Sequence, residues 1–287
     1  MSRPQATLIG FSAVALWALL ALFTVGSAPV PPLQLNAICF AIGGAIGLVW
    51  VGVSEGFGVL RQISWKVYAF GTAALFGYHL LYFSALRLAP PAEASLIAYL
   101  WPLLIVLFSG LLPGERLRPL HILGALIAFA GAALIVARGG VSASASALPG
   151  YGLALLCALT WSSYSLISRR LGSVPTAAVA VYCLATAVLS AGAHLALEET
   201  IWPSTALGWG SVLALGIGPV GLAFYTWDIG VKRGDIQLLG TASYAAPLLS
   251  TLVLVSFGVA AASVILVLAA AMIAAGALLA AMASRSR

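Results

Sequence analysis

A chain of 287 residues that is 62% apolar and only 7% charged is not an ordinary soluble domain, which is about 45–50% apolar and about 25% charged. Its solvent must be lipid, and the net charge of +6 then marks orientation in a bilayer rather than a nucleic-acid partner. Three cysteines, Cys39, Cys157 and Cys183, lie scattered in apolar runs, so neither a disulfide framework nor a metal site is expected, and no cofactor is implied.

Apolar runs between polar breaks predict ten membrane spans, over 7–28, 33–53, 65–88, 92–112, 117–137, 150–169, 176–197, 207–231, 236–257 and 261–283. The first is too long for a signal-peptide core and reads as a retained helix. Span two carries Gly43 and Gly47, a small-x-x-x-small pair that lets helices approach closely. Span three carries Tyr78, His79 and Tyr82, with the tyrosines four residues apart on one helix face. Span seven ends near His194 and Glu198, which have ligand-like spacing but read as solvated charge at a span end. Span eight contains Gly216-Ile217-Gly218-Pro219-Val220-Gly221 and, near its end, Asp228 four residues before Lys232. An ion pair between those two is the simpler reading, with proton coupling through Asp228 or His79 as the alternative.

The chain repeats itself. Tyr99-x-x-Pro102-Leu103-Leu104 returns 145 residues later as Tyr244-x-x-Pro247-Leu248-Leu249, and Trp17 returns 144 residues later as Trp161. The same register of 145 carries Tyr82 to Trp227 and Arg87 to Lys232. The expected organisation is one five-helix repeat over 1–140, a linker over 141–149 and a second repeat over 150–287. Five crossings per repeat invert the second copy relative to the first, the arrangement of many secondary transporters.

Placing both termini in the cytoplasm puts Arg3, Arg61, Lys66, Arg116, Arg118, Arg169, Arg170, Lys232, Arg233, Arg285 and Arg287 inside. Only Arg87 and Arg138 then fall outside, as the positive-inside rule demands. Trp50, Trp65, Trp202 and Trp209 sit at span ends as interfacial anchors, whereas Trp17, Trp101 and Trp161 sit near span centres.

No P-loop, zinc-protease or nucleophile-elbow motif occurs, so no catalytic residue is assigned and the chain does not read as an enzyme. Proline cannot donate to the carbonyl four residues back. Pro102, Pro219 and Pro247 are therefore expected hinges that free the carbonyls of Ala98, Leu215 and Ser243 at membrane depth. The expected substrate site is one central cavity lined by Trp17, Tyr78, His79, Tyr82, Ala98, Tyr99, Trp101, Trp161, Ser243 and Tyr244. Freed carbonyls would suit an ammonium group, and tyrosine hydroxyls or His79 a carboxylate.

The stretch from Ala85 to Gly139, with its Ala-Leu pair, Pro102-Leu103-Leu104 and Gly114-Glu115-Arg116-Leu117, resembles the repeated module of the drug/metabolite transporter superfamily. The second copy has Gly258-Val259-Ala260-Ala261 where Gly-Glu-Arg-Leu would stand. The resemblance covers nearly the whole chain and is strongest to the bacterial aromatic amino-acid exporters of that superfamily. It implies a basket-like, all-α fold of ten transmembrane helices in a bacterial inner membrane. It also implies a monomer whose partners are lipid and a small aromatic or amphipathic substrate, moved by alternating access. A membrane-embedded glutamate in the first span, typical of the small multidrug branch, is lacking here, and every Lys and Arg lies near a span end, which disfavours anionic substrates. A non-transporting scaffold or an intramembrane enzyme is the alternative class. Neither needs inverted halves with paired central prolines.

Overall fold

The computed structural model describes residues 1–54, 56–137, 145–258 and 263–285. The sequence-expected linker positions 141–144, and with them Arg138 and Arg287, lie outside the described residues. Among the described residues, nine helices are long and apolar enough to cross a membrane, and a tenth apolar helix is shorter. In chain order they are α1 (Arg3–Gly26), α2 (Pro32–Ser54), α3 (Trp65–Leu88), the shorter α4 (Glu93–Ser109), α5 (Pro119–Val136), α6 (Ala145–Arg170), α7 (Ala178–Leu197), α8 (Ala206–Arg233), α9 (Ile236–Ser256) and α10 (Val264–Ser284). This is an all-α, multi-pass membrane protein, and each expected span has its helix.

Helix α1 starts earlier than the expected Thr7. Ser2 and Gln5 form a capping box, with each side chain accepting from the other residue's backbone N–H. Arg3 is thereby drawn into the helix and placed at its charged end.

Ion pairs and hydrogen bonds fix which helix ends share a face. Arg3 at the start of α1 meets Glu115 after α4 and Asp235 before α9. Arg169 at the end of α6 meets Glu115, and Arg118 before α5 donates to the carbonyl of Ala283 in α10. We call this the terminal face, because both ends of the chain approach it. At the opposite face Arg87, ending α3, pairs with Glu198 after α7 at 3.1 Å. The first repeat therefore starts on the terminal face and the second on the opposite face, which is the inverted arrangement.

Helix pairing respects that inversion. Helices α2 and α7, which correspond to each other in the two halves, pack together, and so do α5 and α10. Helix α1 packs on α8, and their counterparts α6 and α3 pack on each other. The α1–α8 contact depends on two glycines: a Cβ at Gly230 would stand 2.6 Å from the Cα of Gly10. No side chain fits between these backbones.

The charge at the opposite face differs from its reading as solvated. The Glu198 side chain is 4% exposed. It accepts from the N–H groups of Leu33 at 3.0 Å and Gln34 at 3.2 Å, and from His194 at 3.1 Å. The Leu33 and Gln34 N–H groups belong to the first turn of α2, whose unpaired donors and positive dipole end attract a carboxylate. Glu198 is thus a buried clasp between the two halves.

An aromatic chamber as the candidate functional site

Four helices are interrupted, and the interruptions surround the centre. Helix α4 breaks between Ala98 and Trp101, and α9 breaks between Ala242 and Ala245. Pro102 and Pro247 follow these breaks, each supplying no N–H to the preceding turn. Helix α1 is interrupted at Leu19. In α8 the expected kink at Pro219 is a π turn over Gly218–Leu222. One extra residue in the turn accommodates the missing donor. Gly221 is obligatory there, since a Cβ would collide with the carbonyl of Gly216.

The four tryptophans nearest the centre converge. Trp17 lies 5.1 Å from Trp227, 5.9 Å from Trp161 and 6.1 Å from Trp101 between ring centroids. Trp101 and Trp227 are 5.7 Å apart and nearly perpendicular. The indole N–H groups are held: Trp17 donates to the carbonyl of Pro219 at 3.1 Å, and Trp227 to the hydroxyl of Ser165 at 3.1 Å. Trp101, Trp161 and Trp227 are buried while Trp17 is half-buried. Together they form an aromatic floor toward the terminal face.

Above this floor, toward the opposite face, lie half-buried Tyr78, His79, Tyr82 and Tyr99. Tyr78 is 5.4 Å from Trp161 and stacks with Tyr82 at 6.2 Å. Tyr82 shares a hydrogen bond with Ser95 at 3.1 Å, tying α3 to α4. Tyr99 stands within electrostatic reach of Tyr78 and Tyr82. The His79 ring sits 5.0 Å from Phe40, edge-on, and 6.2 Å from Phe224. Its Nδ1 lies 2.7 Å from the carbonyl of Leu75. A carbonyl only accepts, so Nδ1 carries the proton and a neutral ring presents Nε2 as an acceptor.

The aromatic cluster is covered on its terminal side. The terminal-face halves of α4 and α9 pack together, with Gly240 against Pro102, Ile105 and Val106. Among the described residues, the opposite-face halves, Pro91–Ala98 and Ala245–Ser256, make no comparable contact.

Two residues expected in the cavity sit differently, and Asp228 takes the simpler of its two expected roles. Tyr244 is fully buried away from the tryptophans. It packs on Phe129 at 5.7 Å, and its hydroxyl accepts from the N–H of Leu103 at 3.0 Å. It therefore caps the donor that the α4 break leaves over. The Ser243 carbonyl accepts from the N–H of Ala246 at 3.0 Å, so it is not the free acceptor expected. Asp228 is fully buried and held by Lys232 and by the Thr176 hydroxyl, each at 2.8 Å, which is the ion pair expected as its simpler reading. Ala98 is buried at the α4 break, where Pro102 brings no N–H to its carbonyl. Residues outside the expected set also join the site: Trp227, Phe40 and Phe224. Trp227 was within reach of the sequence as the counterpart of Tyr82, and Phe224 precedes it by one helical turn.

Comparison with known proteins places this architecture. The EamA-like transporter family matches residues 5–137 and again residues 148–282. The chain belongs to that family. Its EamA-like relatives include the aromatic amino acid exporter YddG of Ancylobacter novellus, 56% identical over 99% of this chain and 100% of that protein. The YddG exporter of Salmonella typhimurium is 24% identical over 88% of each chain. A crystal structure 55% identical in sequence superposes with a TM-score of 0.95 over 99% of both chains. The two EamA-like matches each contain one tryptophan of the Trp17–Trp161 pair, so the aromatic floor is built from both repeats.

Proposed function

We propose that the protein exports aromatic amino acids, or similar small amphipathic metabolites, across the bacterial inner membrane by alternating access. The observation that carries this reading is the chamber itself. Four indoles from α1, α4, α6 and α8 offer ring edges and faces to an aromatic side chain. The name of the relative in Ancylobacter novellus supports the same substrate class. In this reading the terminal face is cytoplasmic, which the cation distribution supports, and the chamber opens outward. One chain supplies every wall, so a monomer suffices. The chemistry of the walls is recognition and not bond-breaking, which fits a transporter rather than an enzyme.

The polar end of the substrate is met by donors and acceptors of opposite sense. His79 Nε2 accepts from the α-ammonium, reversing the carboxylate role expected for it, because Leu75 occupies Nδ1. The hydroxyls of Tyr78 and Tyr99 donate to the carboxylate. Pro102, Pro219 and Pro247 act as hinges, since a helix missing a backbone hydrogen bond bends there more readily. Calorimetric titration of the purified protein tests the site. Phenylalanine and tryptophan should bind, and a sugar phosphate should not. Binding of the sugar phosphate alone would overturn the assignment.

A further inference from the structure

The closed side of the chamber is fastened by charge. On the terminal face the Arg3 Nη2 lies 3.4 Å from the Glu115 carboxylate and 3.5 Å from Asp235. Arg169 pairs with the same Glu115 through one guanidinium nitrogen. Its other nitrogen donates to the carbonyls of Val231, Lys232 and Gly234 at 3.1, 3.0 and 2.8 Å, capping the end of α8. Its carboxylates and Arg169 are largely out of water, with the side chains of Glu115 3%, Asp235 10% and Arg169 17% exposed, while that of Arg3 is 39% exposed.

Its members come from both repeats. Arg3 and Glu115 belong to the first, Arg169 and Asp235 to the second, so Arg3–Asp235 and Arg169–Glu115 bridge the halves. Beside them the backbone N–H of Asp235 donates to the hydroxyl of Thr7 at 2.8 Å, a third bridge. The clasp of Arg87 and Glu198 at the other face is not its repeat counterpart. In the repeat register Glu115 corresponds to Ala260 and Asp235 to Pro90, while Arg3 corresponds to Ala147 and Arg169 to Val25.

We infer that Arg3, Glu115, Arg169 and Asp235 form an ionic gate that holds the terminal face shut and must come apart each time the chamber loads from that side. This rests on the transporter reading above. Removing one partner of a buried pair leaves the other charge uncompensated, so neutralising Glu115 penalises the closed arrangement. It moves population toward the state in which Arg169 and Arg3 reach water. Among the described residues the opposite-face halves of α4 and α9 make no contact comparable to the terminal-face one, so the intact gate biases the empty protein toward the conformation seen here.

Spin labels at Leu111→Cys, beyond α4, and Arg233→Cys, ending α8, report the separation of the two halves at this face. Both side chains are exposed. Native Cys39, Cys157 and Cys183 are buried and are first replaced by alanine. Pulsed-dipolar distances in lipid should show one short population in the parent. Glu115→Gln should raise the fraction of a longer distance at least tenfold, and Glu115→Asp should retain the parental distribution. Asp235→Asn is the second variant, because its amide oxygen still caps Leu238, as Asp235 does at 3.0 Å. Parental distances in monodisperse Glu115→Gln and Asp235→Asn would overturn the gate. The distances need no substrate, so the two readings fail separately. Lengthened distances without flux of any solute would retire the transporter reading, and unchanged distances with intact flux would retire the gate alone.

Discussion

The indole N–H of Trp17, in the first repeat, donates to the carbonyl of Pro219, in the second, at 3.1 Å. That bond joins the aromatic floor to the one π turn seen in the described helices, so a residue of the proposed substrate site is coupled to a helix defect. Pro219→Ala returns an N–H to α8 and removes the reason for the extra residue in the turn. The variant should insert and fold, bind substrate with little change, and turn over more slowly. Initial rates in proteoliposomes check this, and wild-type turnover would mean that the π turn is only a packing feature.

Trp101 is buried in the floor, perpendicular to Trp17 and Trp227. Trp101→Ala should weaken substrate binding by roughly 1–3 kcal/mol, the range for a large buried apolar contact. That corresponds to about 5- to 150-fold in Kd. Unchanged Kd in a folded variant would place the substrate elsewhere.

His79 offers Nε2 as an acceptor only while the ring is neutral. Protonation turns that atom into a donor and sets two cations facing each other. Binding of aromatic amino acids should therefore weaken as pH falls. His79→Phe keeps the ring contact with Phe40 but should bind about tenfold or more weakly, the scale of a hydrogen bond to a charged group. Its binding should also lose this pH dependence. A pH profile that persists unchanged in His79→Phe would assign the titration to another group.

Tyr244 separates structural from binding roles. Tyr244→Phe removes the acceptor for the Leu103 N–H while keeping the ring against Phe129. It should lower thermal stability, by about 1–3 kcal/mol for a buried donor left unpaired, and leave Kd unchanged. Weaker binding at unchanged stability would return Tyr244 to the substrate site.

These cases show what a sequence carries. Ten apolar runs are legible because crossing lipid demands about 20 apolar residues and internal backbone pairing. The tryptophan floor is legible through the repeat register, which relates Trp17 to Trp161. Equivalent register does not give equivalent surroundings, however. Tyr99 borders the chamber, whereas its counterpart Tyr244 meets the α4 break, because the two faces differ in whether α4 and α9 touch. Glu198 reads as solvated because the N–H groups that bury it belong to Leu33 and Gln34, more than 160 positions away. The π turn at Pro219 is likewise a tertiary outcome: sequence marks the missing donor, and packing decides between a kink and an added residue.

Orientation has its own check. Single cysteines at exposed Ser2, Ser64 and Ser173 should react with impermeant reagent only from the cytoplasm, and one at exposed Ser204 only from outside. Labelling of Ser2 and Ser204 from the same side would contradict the assignment.

Flux of radiolabelled phenylalanine and tryptophan through the purified protein in proteoliposomes tests the central claim most directly. The account predicts saturable uptake of both, each competing with the other, and a flux in Trp101→Ala that needs higher substrate concentration to reach half-saturation. Flux no greater than in protein-free vesicles for every aromatic amino acid, from a monodisperse and correctly inserted protein, would contradict it.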